Sequence, residues 1–289
     1  MRCALPDICV ILVLTAAAQA FTQDRVLIVP RTLVAGNGFE IASTGSGQAT
    51  VYIVGPGQVL KRAVQLGEAI RFPYGSLYNA GRYAVILEQG SSARDYPLDV
   101  IPAGTPTSLS FLARPSRLPV GMQRGITGAA YVFDAYGNLI VAPMSMSFEL
   151  SSPAGDTQKE VVETQNGVGW LQMNSTSRQG IDRFAVYAGG VSSVRIIRQV
   201  PGDPCELKMS VQPVGRLLHL VTAPVRDCSG NAVSDGTIVT FTATYSGGQS
   251  TVDVPLKRGI AEINMPPHKL ETISVASGVI LGNQVKWEK

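Results

Sequence analysis

Helical periodicity is nearly absent from this chain of 289 residues. Short runs rich in Val, Ile, Thr, Phe and Tyr take its place, many of them alternating apolar with polar. They include VLIV (26–29), TVYIV (50–54), RYAVILE (82–88), MSFEL (146–150), RFAVYAG (183–189), LLHLVTAPV (217–225) and TIVTFTATY (237–245). Alternation places successive side chains on opposite faces of a strand. Short strands recurring at about ten-residue spacing between turn residues predict a β-sandwich or barrel. The 30 glycines and 18 prolines supply the punctuation, as in AGN (35–37), GPG (55–57) and SGG (246–248).

Two Pro/Gly segments, IPAGTPTS (101–108) and QVPGDP (199–204), each follow a strand-like run and read as linkers. The N-terminus has a different character. Arg2 precedes an apolar run from Ile8 to Leu14, and AQA ends at Ala20. This is the form of a signal peptide over 1–20, with too few apolar residues to span a bilayer. The expected organisation is therefore a signal peptide followed by three small all-β sandwiches, over 21–102, 106–200 and 204–289. Each piece is about 80 to 100 residues long, which suits one small sandwich. The chain is expected to be exported to the extracellular space, the cell surface or the periplasm, with no membrane span once the leader is cleaved.

The second and third pieces repeat each other. DAYGN at Asp134–Asn138 and DCSGN at Asp227–Asn231 are 93 residues apart (227 minus 134), and Phe148 and Phe241 keep the same offset. TQNGVGWLQM (164–173) corresponds to KRGIAEINM (257–265) with a slip of one residue. Shared register across three features marks a duplication. The two segments resemble the strand–turn–strand unit of bacterial Ig-like domains of the invasin/intimin type. In that family a D-x-x-G-N turn joins two strands and a later T-x-x-G-x-A turn opens another. Asp134, Gly137 and Asn138 match the first turn, as do Asp227, Gly230 and Asn231. Thr164 and Gly167 match the second turn, whereas Lys257 and Arg258 precede Gly259 in the third piece. Leu139 and Ala232 stand where the family usually has proline. The resemblance implies sandwiches of about seven strands in tandem. In the turn itself, Asp accepts backbone N–H bonds two residues on, while Gly and Asn tolerate positive φ. In the first piece, NAGRYAV (79–85) resembles the tyrosine-corner segment of Ig folds, with Tyr83 as the corner residue and Val85 where a cysteine would stand. Phe184 of RQGIDRFAV occupies the equivalent place in the middle piece, without a hydroxyl.

Cleavage after Ala20 leaves two of the four cysteines, Cys205 and Cys228. An even pair in an exported chain predicts a disulfide; two free thiols are the alternative. Two cysteines without nearby histidine do not complete tetrahedral zinc, and no D-x-D-x-D string offers calcium a site. No cofactor or metal is expected. His219 and His268 lack partners at ligand spacing, and no G-x-S-x-G, S-x-x-K, H-E-x-x-H or P-loop occurs, so no catalytic residue and no enzyme activity are expected. A net charge of +3, from 24 basic and 21 acidic residues, is too weak to predict nucleic acid binding. RFPYGSLYNAGRY (71–83) contributes candidate binding residues Tyr74, Tyr78 and Arg82, types favoured at interfaces. Trp170, on an alternating strand, is expected in the core. The functional expectation is an adhesion or interaction module with a protein or glycan partner at the cell surface. A structural spacer or envelope-assembly subunit, and a carbohydrate-binding accessory protein, are the alternatives.

Overall fold

The computed structural model describes residues 26–153 and 155–288; the signal-peptide segment 1–20 lies outside the described residues. Among them every regular element is a strand, and no helix is long and apolar enough to cross a membrane. The chain forms two units. The first comprises the described residues up to Leu33 with 37–77 and 81–99; the second comprises 34–36, 78–80 and everything from Val100 onward.

The first unit is built on two sheets. One pairs Leu27–Ile28, Phe39–Ser43 and Ile70–Phe72. The other has the order Thr32–Val34, Ser92–Ile101, Gly81–Gln89, Gln48–Gly55, Gln58–Gln65. Strand Gln48–Gly55 shows why: Ala49, Val51 and Ile53 are buried while Gln48 and Val54 are exposed, so one face of the pleat enters the core. Val85 is completely buried and packs as an aliphatic residue.

The second unit holds two sandwiches. In the middle one, a five-stranded sheet runs Arg117–Pro119, Val191–Val200, Gly180–Ala188, Ser145–Ser151, Thr157–Glu163, and a three-stranded sheet runs Val168–Met173, Ile126–Phe133, Ser108–Arg114. Between them Phe111, Phe148 and Phe184 meet with ring centroids 5.1 to 5.9 Å apart. The core includes Ile126, Val132, Leu150 and Ile197. Gly128 makes room for the trio: a Cβ there would sit 2.7 Å from the Phe184 ring. The third sandwich pairs a four-stranded sheet, Gly248–Pro255, Ile238–Tyr245, Glu271–Ser277, Ile280–Trp287, with a three-stranded one, Met209–Val214, Leu217–Thr222, Glu262–Met265. A short ribbon joins Pro204–Glu206 to Arg226–Asp227. Phe241, the counterpart of Phe148, is fully buried in its core.

The duplication extends to backbone bonds. Ile140 N donates to Val132 O, and Val233 N donates to Val225 O; Val132 N reaches Gly167 O, and Val225 N reaches Gly259 O. Both late turns are left-handed at their two central residues, Asn166–Gly167 (φ 50° and 81°) and Arg258–Gly259 (54° and 77°). That geometry suits the twist of paired strands.

Candidate interaction site

The three-stranded sheet of the middle sandwich carries one exposed face whose chemistry is unusual. Register places Trp170 opposite Ala129 and Ala129 opposite Leu112, giving a single row across three strands. Flanking rows are Gln172–Thr127–Arg114 and Val168–Tyr131–Ser110. The alternate positions, among them Leu171, Ala130 and Phe111, fill the core. Trp170 is therefore not a core residue, contrary to expectation: it is 62% exposed, and Leu112 beside it is 51% exposed. The strand VGWLQM has apolar residues in both phases, and Leu171 with Met173 claims the inside. Gln172, in phase with Trp170, was the available signal that this phase faces out.

Tyr74 stands 84% exposed. Tyr78 is held in place: its ring stacks on Tyr136 with centroids 6.3 Å apart, and its carbonyl accepts a bond from Asn138. Arg82 lies on the surface in an ion pair with Asp99, Nε to Oδ1 3.5 Å, an exposed contact of small worth. Tyr83 is buried, and its hydroxyl donates to Gln58 Oε1 at 2.9 Å. Gln58 Nε2 in turn donates to Ser76 O at 3.2 Å. His219 shares a hydrogen bond with Asn264 (3.1 Å), and the His268 ring stacks on Tyr245 at 3.8 Å. Among the described residues no cluster of three or more His, Cys, Asp or Glu is placed to hold a metal.

The two D-x-x-G-N turns have one geometry. Asp134 Oδ1 accepts the N–H groups of Tyr136 (2.9 Å) and Asn138 (2.8 Å). Asp227 Oδ1 accepts those of Ser229 (2.9 Å) and Asn231 (2.8 Å). The other oxygen of each takes a linker N–H, from Ala103 and from Gly202, both at 2.9 Å. Burial alone would raise the pKa of each aspartate. The bonds from Asn138 and Ala103, and from Gly202 and Asn231, outweigh it and hold both carboxyls below the ordinary value. Gly137 and Gly230 have positive φ, but Asn138 and Asn231 do not. The left-handed backbone expected of the asparagines is thus absent, and their place in the turn has another cause. Their carboxamides bond outward instead. Asn138 Nδ2 donates to Tyr78 O (2.8 Å) while its Oδ1 accepts Ala80 N–H (2.8 Å). Asn231 Nδ2 donates to Ser177 O (2.9 Å) while its Oδ1 accepts Gln179 N–H (3.1 Å). Cys228, inside the second turn, is disulfide-bonded to Cys205.

These features define an all-β chain of tandem Ig-like sandwiches. Among solved structures it is similar to the Escherichia coli adhesin FdeC, with a TM-score of 0.60 and 14% identity over 87% of this chain and 91% of that one. It is also similar to invasin, a bacterial integrin-binding protein, with a TM-score of 0.43 and 12% identity over 86% of this chain and 56% of that one. The FN1–FN3 domains of chicken CNTN1 match with a TM-score of 0.35 and 11% identity over 91% of this chain and 97% of that one. At such identities the likeness is one of fold. No protein-family model matches the chain, and no curated protein matches it.

Proposed function

We propose that this is an exported, non-catalytic adhesion module that engages a protein or glycan partner at the cell surface through the outward face of its middle sandwich, with Trp170 as the anchor. The observation that carries this reading is the exposed indole in a row with Leu112, on a rigid sheet flanked by Gln172, Thr127 and Arg114. An outward tryptophan adds nothing to the core. Tryptophan and arginine are the residue types that anchor interfaces when covered, and indole also stacks on flat apolar faces. The likeness in fold to an adhesin supports the class of role, and the disulfide supports export.

The test uses the purified exported chain on glycan arrays and on immobilised extracellular matrix proteins, comparing wild type with Trp170→Ala and with Tyr74→Ala. Trp170→Ala is expected to lower the signal by about tenfold or more, as for an interface hot spot, with an unchanged melting temperature. Binding that survives Trp170→Ala and disappears with Tyr74→Ala moves the site to the first unit and refutes the assignment.

A further inference from the structure

We propose that Asn231 is a latch that fixes the orientation of the third sandwich on the middle one, and that the Cys205–Cys228 disulfide holds the turn that carries it. The proposal goes beyond the adhesive reading and does not depend on it.

A carboxamide has the donor and acceptor of a peptide group. Asn231 uses both on the segment that precedes strand Gly180–Ala188 of the middle sandwich, donating to the carbonyl of Ser177 and accepting from the amide of Gln179. Those groups flank residue 178 and lie two residues apart, the pattern in which one residue of a neighbouring parallel strand would bond. The side chain therefore supplies one rung of a strand pairing across the boundary between two sandwiches. Neither bond helps to form the turn, which Asp227 already closes with the N–H groups of Ser229 and Asn231.

The latch is pre-organised. Asn231 Nδ2 also donates to the Asp227 carboxylate, at 3.0 Å to Oδ2, so its rotamer is set before it meets the loop. That carboxylate takes the N–H of Gly202 in the linker. One aspartate thereby gathers the turn, the linker and the asparagine. Cys228 sits next to Asp227, and its bond to Cys205 ties the turn to the strand that opens the third sandwich. The disulfide thereby keeps the end of the linker close to the turn. The same pattern recurs at Asn138, which bonds the carbonyl of Tyr78 and the amide of Ala80, again two residues apart. Two occurrences of a donor and an acceptor at the same spacing, from duplicated turns, assign the fifth position of the motif to this contact and not to backbone conformation.

The experiment is solution NMR on the exported, oxidised chain. In wild type, N–H residual dipolar couplings from 108–200 and from 204–287 are expected to fit one alignment tensor. In Asn231→Ala they should require two, and the Gln179 amide should exchange about tenfold faster or more, because its acceptor is gone. Slow exchange of the Phe241 and Val275 amides shows whether the third sandwich stays folded. If it does not, Gln179→Pro decides, since it deletes the donated N–H from the opposite side and leaves the turn intact. Asn138→Ala is expected to keep the shared tensor. Reduction of the disulfide should speed Gln179 exchange several-fold. A single tensor that persists in both Asn231→Ala and Gln179→Pro overturns the latch, and unchanged Gln179 exchange on reduction overturns the role given to the disulfide.

Discussion

Replacing Cys205 and Cys228 by serine should destabilise the third sandwich by an amount the structure sets. The bond spans 23 residues of chain, and both cysteines are exposed, so little apolar burial is lost with the sulfurs. The effect then resides in the unfolded chain, which regains the entropy of an open loop. Loop-closure entropy for this length gives about 3 kcal/mol. A domain of this size has a urea m-value of about 1 kcal/mol per molar at the low end of the usual range, so the midpoint should fall by about 2 to 3 M. The chain has two tryptophans. Trp287 packs against the core of the third sandwich, whereas Trp170 is on the surface of the middle one. Trp287 fluorescence in a Trp170→Phe background therefore follows the third sandwich alone. A midpoint shift under about 0.5 M would refute the reasoning from loop length, because strain or residual structure would then have cancelled the entropic gain.

Two further outcomes follow from the turns. Arg258 holds φ at 54°, a region that costs an ordinary L-residue about 1 kcal/mol and that asparagine enters more readily. Arg258→Asn should raise the third sandwich's urea midpoint, and a lowered midpoint would show that Arg258 supplies something its backbone does not reveal. The second outcome concerns acid. The Asp227 carboxyl lies below its ordinary value of 3.8 in the folded chain, so its contribution is complete above that pH and is lost as pH falls through the depressed pKa. Trp287-monitored stability should fall on acidification below about pH 4, with a smaller loss in Asp227→Asn. Equal losses in the two proteins would remove Asp227 as the source. Asp182 in the middle sandwich has the opposite sign: burial raises its pKa despite bonds from Gln199 and Thr176, so its cost appears as pH rises above 3.8.

Much of the fold was legible because alternation reports directly on the pleat. RYAVILE lies within strand Gly81–Gln89, with Tyr83, Val85 and Leu87 inward. The run LLHLVTAPV is longer than the strand it contains. Its strand stops at Thr222, and Pro224 just beyond has no N–H to continue a ladder. Alternation does not say which phase faces the core when both are apolar, which is why Trp170 faces out where a core position is expected. The pairing of Cys205 with Cys228 was legible from cysteine arithmetic. The role of the motif asparagine was not, because what lies beyond a turn is set by tertiary structure and not by the five residues that form it.

The position of that disulfide follows from a difference between the two copies. Asp134 bonds Ala103, 31 residues upstream, and Asp227 bonds Gly202, 25 residues upstream. The reaches from Asn138 to Tyr78 and from Asn231 to Ser177 are 60 and 54 residues. Both reaches shorten by six, so the difference in length lies between linker and turn. In the middle sandwich that stretch contains Arg117–Pro119, which adds a parallel edge to the five-stranded sheet against Val191–Val200. Among the described residues the third sandwich has four strands in the corresponding sheet. Its opening segment is fastened in other ways. Asn283, on the strand that corresponds to Val191–Val200, accepts Met209 N–H at 2.6 Å and donates to Met209 O at 2.9 Å, so a carboxamide again stands in for a strand. Cys205 bonds the same opening segment to the turn. A cysteine occupies the tight turn at Asp227–Asn231, and alanine the equivalent place at Asp134–Asn138; the cysteine fastens an opening segment that, among the described residues, has no counterpart of the parallel edge Arg117–Pro119.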